Sequence, residues 1–415
     1  MLQVLSSSWA LLLGMFMLMI GNGLQGTLLG LRGELEGFST LAMSVVMSGY
    51  FAGFLFASRI VPKMIQRVGH VRVFAALGST ISSILILYPT LVEPWAWTIG
   101  RVAIGFCFCG VYITAESWLN DAADNENRGK ALSLYMIVQM AGIIVAQYIL
   151  YLGEVSGYVL FIIPSILVSL AFAPILLSIR PTPAFATTKP LSIRRLIEAS
   201  PLACMGMFLL GGVFSAQFGM SAIYGSRAGL SVGEISIMVS VIYAAALVLQ
   251  YPIGWVSDRM DRRLLILILA AIGGISAIVA VFFGTNFYVI LFSAAMMGGT
   301  SNPLYALLIA YANDYLERED MAAASGGLLF INGVGAIAGP LIVGAALDSF
   351  GPPGYWVFIA VQMIGLAVYA GWRMTRRKSH AQVSDLVSYA PILASATSVA
   401  AEVAQEVYLD ADSGA

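Results

Sequence analysis

Two charged residues, Arg101 and Glu116, sit inside one apolar stretch that runs from Pro94 to Asn120 (PWAWTIGRVAIGFCFCGVYITAESWLN). A charge at membrane depth costs several kcal/mol, so such residues face a bundle interior or a wet cavity and mark candidate sites for solutes or ions. Read as a helix, the 15 residues between them turn the chain by about 1500°, roughly 60° beyond four full turns. Arg101, Gly105, Tyr112 and Glu116 therefore share one broad stripe. Two roles are open for Arg101. It is either a cationic site that draws an anionic solute or perturbs a carboxylate during proton coupling, or a strut bonded to amides such as Asn22 or Gln25. Glu116 is either a proton carrier, burial raising a carboxyl toward a useful range, or one half of a gate ion pair with Arg59, Arg67 or Arg128. Its place near the end of the stretch favours the gate.

The elements that must hold these charges are set by composition. Of the 415 residues 59% are hydrophobic and only 10% charged, with a mean hydropathy of +0.88. Soluble domains carry about 25% charged residues. The apolar runs are helix-length, and the ten-residue alternation of a membrane barrel is absent, so an all-α membrane protein is expected. A net charge of −1 argues against nucleic acid as a partner. Cys107, Cys109 and Cys204 all fall in apolar segments, as packing residues do and disulfide frames or metal sites do not. No nucleophile–base pair or phosphate loop argues for an enzyme, and no cofactor is expected. The first apolar run lacks a basic leader and reads as a retained helix.

Runs of about twenty apolar residues give twelve spans, beginning near residues 9, 40, 73, 94, 131, 157, 201, 233, 263, 286, 322 and 353. The polar, basic stretch 180–200 divides them into an N-terminal six-helix bundle, 1–179, and a C-terminal one, 201–373. Of the 21 Lys and Arg, all but Arg32, Arg227 and Arg101 fall on the side shared by both termini. Basic loops are cytoplasmic, so both termini are expected there. The tail 374–415 turns from basic to Ala-, Ser- and Val-rich and is expected to be disordered, with a short amphipathic helix over Ala394 to Tyr408 as the alternative.

The halves repeat at a nearly constant offset, as parallel repeats about an axis along the membrane normal would. Gln66 to Arg72 (QRVGHVR) lies 192 positions before Asp258 to Leu264 (DRMDRRL). Asn120 and Asp121 lie 193 before Asn313 and Asp314, and Gln139 and Gly142 stand in the same relation to Asn332 and Gly335.

Three motifs resemble those of the major facilitator superfamily, and the resemblance runs from about residue 9 to 375. Gly100-Arg101-Val-Ala-Ile-Gly105 resembles its Arg-x-x-x-Gly signature in the fourth helix. Asn127-Arg128-Gly129-Lys130 resembles the Arg-Gly pair that opens the loop to the fifth. Gly254-Trp-Val-Ser-Asp258-Arg259-Met-Asp261-Arg262-Arg263 resembles the Gly-x-x-x-Asp-Arg-x-Gly-Arg-Arg loop. The first-half copy keeps Arg59, Arg67 and Arg72 but loses the Asp. Gly69-His70-x-Arg72 with Glu116-Ser-Trp-Leu-Asn120 is similar to the YcaD-like branch.

The resemblance implies two pseudo-symmetric six-helix bundles that rock about a central cavity lined by the first, fourth, seventh and tenth helices. Polar residues at depth fall in those segments. Asn22, Gln25, Arg101, Tyr112, Gln217, Asn302 and Tyr305, with Gln139 and Asn332 from the fifth and eleventh, are the expected cavity residues. Arg59, Arg67, Arg72, Glu116, Arg128, Asp258, Arg259 and Arg262 are the expected coupling or gating residues. Both histidines are expected outside the core, His70 in a loop and His380 in the tail. The Gly333 to Gly344 run resembles the glycine–proline motif of drug antiporters, which those carry in the fifth helix; here the fifth lacks it.

The expected protein is a monomeric secondary active transporter of the bacterial inner membrane. It takes a small neutral or weakly anionic solute, with proton-coupled export preferred. A facilitator without proton coupling and a transport-inactive sensor are the competing readings.

Overall fold

The computed structural model describes residues 2–122, 128–176, 193–316 and 318–376 and four tail positions, 392, 397, 399 and 400. Among the described residues there is no strand. The helices are α1 Leu2–Leu35, α2 Thr40–Val68, α3 His70–Leu87, α4 Pro94–Ala122, α5 Arg128–Leu152, α6 Val159–Leu176 and the short α7 Ile193–Ala199. They continue as α8 Pro201–Ser215, a π-helical turn Ala216–Met220 leading into α9 Ser221–Arg227, then α10 Val232–Ser257, α11 Arg262–Phe283, α12 Phe287–Asn313, α13 Arg318–Phe350 and α14 Pro353–Arg376. Among the described residues ten helical stretches, with Pro201–Arg227 taken as one, are long and apolar enough to cross a membrane, and Val159–Pro174 is a shorter apolar helix. α12 is 27 residues long. The protein is a multi-pass membrane protein.

Helix starts follow local chemistry. Ser39 accepts from the Ala42 amide at 3.2 Å, Asp261 from the Arg263 amide at 2.9 Å and Asn286 from the Tyr288 amide at 2.9 Å, each satisfying a first-turn donor with no partner inside its helix. Ser231 and Glu234 form a reciprocal capping box at the head of α10. α2 and α3 are joined by Gly69 alone, at φ 87°, a region that glycine enters without penalty. That one-residue joint draws His70 out of its expected loop. It opens α3 with 3% of its surface exposed, its ring 6.4 Å from that of Trp118.

Helices α1–α6 pack mainly among themselves, α2 on α4, α1 on α5 and α6, and α3 on α4 and α6. Helices α8–α14 do the same, α10 on α12, α8 on α13, and α11 on α12 and α14. The closest crossings repeat at the sequence offset. A Cβ on Gly105 would lie 1.9 Å from the Tyr50 carbonyl oxygen, and one on Gly298 would lie 2.2 Å from that of Ile242. A Cβ on Gly142 would lie 2.9 Å from the Phe16 carbonyl oxygen, and one on Gly335 would lie 2.0 Å from that of Phe208. Small residues let membrane helices approach to backbone contact, where dispersion replaces the missing hydrophobic drive. These two pairs, α2 with α4 and α1 with α5, therefore have counterparts 192 or 193 positions on. Between the two groups, α2 meets α13, α5 meets α10 and α1 meets α9.

Candidate functional site

Between the two groups of helices lies a cavity whose empty space, open solvent included, is about 990 Å³. Six of the nine expected residues line it: Asn22, Tyr112, Gln139, Gln217, Asn302 and Asn332. They arrive from α1, α4, α5, the π turn, α12 and α13. The π turn sets the neighbours Gln217 and Phe218 both on the cavity wall; single π turns within helices recur at functional sites.

The other three stand behind the wall. Tyr305 is buried with its ring edge-on to Phe214, centroids 5.9 Å apart. Arg101 is fully buried and donates from Nη1 to Gln25 Oε1 at 2.9 Å. Gln25 Nε2 donates to Asn22 Oδ1 at 3.1 Å, and Asn22 Nδ2 donates to the hydroxyls of Tyr112 at 2.9 Å and Tyr50 at 3.2 Å. A polar chain thus runs from Arg101 to the cavity surface, and the guanidinium does not reach that surface. The rings of Tyr50 and Phe218 stand in between, 4.9 and 5.8 Å from the guanidinium carbon. Their π faces attract the cation by about 0.5–2 kcal/mol each. Met47 Sδ, 3.6 Å from Nη2, completes the surroundings.

The sequence reading missed the aromatic wall. Tyr50, Phe51, Phe54, Phe214, Phe218 and Tyr243 line the cavity. Tyr50, Phe51 and Phe54 of α2 and Tyr243 of α10 lie beyond the four helices that the resemblance implied, while Phe214 and Phe218 belong to the seventh span, Pro201–Arg227. Among the described residues no charged side chain lines the cavity.

At one end of the cavity the two groups of helices are clamped. Arg227, at the end of α9, donates to Asp348 Oδ1 of α13 at 2.9 Å. Thr40, at the start of α2, donates to the same oxygen at 2.6 Å and accepts from Arg227. Glu34 lies 3.8 Å from Arg227 Nε. Below the clamp a Cβ on Gly30 would fall 2.9 Å from Ala222 Cβ, and one on Gly344 would fall 2.0 Å from Ser44 Oγ. The signal for this clamp was Arg227 itself, one of two basic residues on a side otherwise without them. The lining continues the other way, through Leu55, Ser58 and Leu329, toward the end that carries the basic loops.

At that basic end the expected gating residues divide. The Arg59 guanidinium lies 4.7 Å from the Phe330 ring, a contact from α2 to α13. Arg67 and Arg72 are exposed around the α2–α3 joint, and the side chain of Arg128 lies outside the described residues. Arg262 is buried and donates to Asp314 at 2.5 Å and to the Ala310 carbonyl at 3.3 Å. Asp258 lies 3.7 Å away. Arg259 donates to the Trp255 carbonyl at 2.9 Å and lies over its ring. The second-half loop therefore ties α10, α11 and α12 together.

Glu116 faces the tail. Its carboxylate accepts from the Thr397 hydroxyl, from the Thr397 amide at 3.2 Å and from the Ala400 amide at 3.3 Å. Tyr135 Oη is 3.5 Å away. Ile392, Thr397 and Ala400 are buried, while most of the tail, including most of Ala394 to Tyr408, lies outside the described residues. Unpaired buried acceptors cost about 1–3 kcal/mol. A chain ending at residue 385, which removes the Thr397 and Ala400 donors, is expected to lose that much stability, read as a lower Tm of the purified protein. An unchanged Tm would contradict the contact.

The family model described as Major Facilitator Superfamily matches residues 11–232 and 202–400. Among curated proteins, the uncharacterized MFS-type transporter YcaD of Escherichia coli strain 536 is 25% identical over 358 residues, covering 84% of this chain and 91% of its own. Its namesake in Salmonella arizonae is 24% identical over 351 residues, covering 82% and 88%. The crystal structure of the nucleoside transporter NupG is similar with a TM-score of 0.73 at 15% identity, over 90% of this chain and all of that one. A bacterial homolog to the human lysosomal transporter Spinster, in an inward-facing and unoccupied conformation, gives 0.66 at 16% identity over 98% of each. At such identities the likeness to solved structures is one of fold.

Proposed function

The chain belongs to the major facilitator superfamily, YcaD-like branch, whose members carry small molecules across membranes, and from that premise we propose a secondary active transporter working by alternating access. Twelve spans in two six-helix bundles, 1–179 and 201–373, rock about the central cavity. The observation that supports this best is the cavity's asymmetry: clamped at the Thr40–Arg227–Asp348 end and continued through Ser58 and Leu329 toward the other. By the basic-loop rule the open direction is cytoplasmic, in the bacterial inner membrane, with both termini inside. A small organic solute enters between the bundles. The Arg227–Asp348 clamp then breaks as the basic end closes. Arg101 acts as a strut that holds α4 to α1.

Proton coupling, with export preferred, rests on Glu116, whose donors come from Tyr135 and the tail. Uniport is the second reading, favoured by the lack of an acidic side chain among the described lining residues. Flux in proteoliposomes separates them: proton coupling predicts solute movement driven by an imposed pH gradient, and gradient-insensitive flux identifies a uniporter. Transport lost with Glu116→Gln at normal folding also excludes a transport-inactive sensor.

The clamp carries its own prediction. Arg227→Ala and Asp348→Ala each remove an interaction present in one state only, so either substitution shifts the population toward the opposite opening. An exposed ion pair is worth about 0.2–1 kcal/mol, a shift of roughly 1.4- to 5-fold. Labelling of a cysteine placed at Asn22 by a membrane-impermeant reagent from the clamped side is expected to rise by that factor. No change would show that the clamp does not gate the cavity.

A further inference from the structure

The cavity's polar groups do not match those of an anion site. Asn302 Nδ2 donates to the Gly298 carbonyl at 3.1 Å, and Asn332 Nδ2 donates to the Met207 carbonyl at 2.9 Å. A backbone carbonyl can only accept, so the orientation of both amides is fixed: NH₂ toward the helix backbone, Oδ1 away from it. Gln217 Nε2 donates to Ser301 Oγ at 2.7 Å. Among the described residues nothing donates to the carbonyl oxygens of these three amides, and none of the three oxygens is among the enclosed polar atoms without a partner. Each primary amide that has used one N–H keeps a second N–H and a carbonyl oxygen with two lone pairs. Three cavity-lining side chains thus offer acceptor oxygens, each beside one donor.

The remaining polar groups strengthen this bias. Tyr112 Oη already donates to Met19 Sδ at 3.2 Å, Ser58 Oγ to the Leu55 carbonyl at 2.7 Å, and Asn22 Nδ2 to the two tyrosines. The amide oxygens of Gln217, Asn302 and Asn332 are open, and each of these amides keeps one N–H beside its oxygen. The Arg101 guanidinium is held behind Tyr50 and Phe218. A carboxylate placed here would meet neutral amide N–H groups, amide oxygens and aromatic faces, with no charge to compensate its lost hydration.

From this arrangement we infer that the transported solute is an uncharged, flat ring compound carrying an N–H donor and a carbonyl-type acceptor side by side, as in a lactam or cyclic amide. The adjacent donor and acceptor of a lactam edge pair with the adjacent acceptor and donor of an asparagine or glutamine amide, and two hydrogen bonds fix one orientation. The flat ring lies against Tyr50, Phe54, Phe218 and Tyr243, where offset stacking adds to burial. This narrows the neutral or weakly anionic class expected from sequence to its neutral member. It rests on the reading of this cavity as the transport site.

The test compares three bicyclic probes of similar size binding to the purified full chain: 2-quinolone, a flat lactam; 2-acetylnaphthalene, which has an acceptor only; and 2-naphthoate, an anion. The expected order is 2-quinolone tightest, by about tenfold or more over each of the others. Asn302→Leu is expected to remove that preference; its amide bonds only its own helix, so the fold should survive. Asn332→Ser is the second variant, with the same expectation. Equal or tighter 2-naphthoate binding, or no binding of 2-quinolone, overturns the inference. So does a preference that survives both substitutions. Flux in proteoliposomes keeps the two readings apart. A bound lactam that is not carried leaves the inferred chemistry standing and defeats the transport reading, whereas carried anions with no lactam binding do the reverse.

Discussion

Replacing Gly105 by alanine is expected to destabilise the protein by about 2 kcal/mol or more, although the change adds one methyl group. The added carbon would sit 1.9 Å from the Tyr50 carbonyl oxygen and 2.7 Å from its carbonyl carbon. Overpacked side chains are relieved by rotamer changes at about 1–3 kcal/mol. Here the obstacle is backbone, so the α2–α4 crossing itself must open. Gly298→Ala should behave alike, since its Cβ would lie 2.2 Å from the Ile242 carbonyl oxygen. Gly365→Ala is the control. Its Cβ would meet nothing within 4 Å, and alanine in a helix is favoured over glycine by about 0.5–1 kcal/mol, so its Tm should hold or rise. Thermal unfolding of the three purified variants decides the matter. A Gly105→Ala protein as stable as the parent would show that the crossing is looser than described.

Gln25→Leu is expected to damage the fold more than Arg101→Met does, an inversion of the usual ranking of charged above neutral residues. The guanidinium's oxygen contact among the described residues is Gln25 Oε1, and Arg101 Nε has no partner there. Removing the glutamine leaves a buried cation without that acceptor, a loss of about 3–5 kcal/mol on the scale of broken buried ion pairs. Removing the arginine leaves a buried amide oxygen unsatisfied, about 1–3 kcal/mol. The double substitution should cost less than the sum of the two, since each leaves behind what the other removes. Urea or thermal unfolding of the three variants measures the cycle. Additivity would mean that the two side chains are not coupled.

Some of this site was legible in the sequence because polarity at depth is expensive. Asn22, Tyr112, Gln139, Gln217, Asn302 and Asn332 interrupt apolar helices, and all six line the cavity. The same reasoning could not tell which polar residues face the opening and which brace it. Arg101 and Gln25 satisfy each other one layer back, an arrangement that depends on the angle between α1 and α4. The aromatic wall left no mark, since Tyr50, Phe54 and Phe218 are ordinary occupants of membrane helices until the π turn and α2 aim them inward. Thr40 and Asp348 were silent for the opposite reason: polar residues at helix ends are commonplace, and only the fold brings them together across 308 positions. The internal repeat was legible and reached further than the loops that revealed it. The glycines of α4 and α12, and those of α5 and α13, meet corresponding carbonyls at the offset already visible between Gln139 and Asn332.

The proposed exchange of openings between the two groups of helices is decided by the distances between them at both ends. Spin labels at the exposed positions Leu41 and Phe350 report the clamped end, and labels at Arg67 and Arg259 report the basic end. Cys107, Cys109 and Cys204 are buried and should stay unlabelled. The account predicts two populations whose distances move in opposite senses, short at the clamped end when long at the basic end, with Asp348→Ala shifting weight between them. One unchanging distance at each end, in the parent and in the Asp348→Ala protein alike, would contradict it.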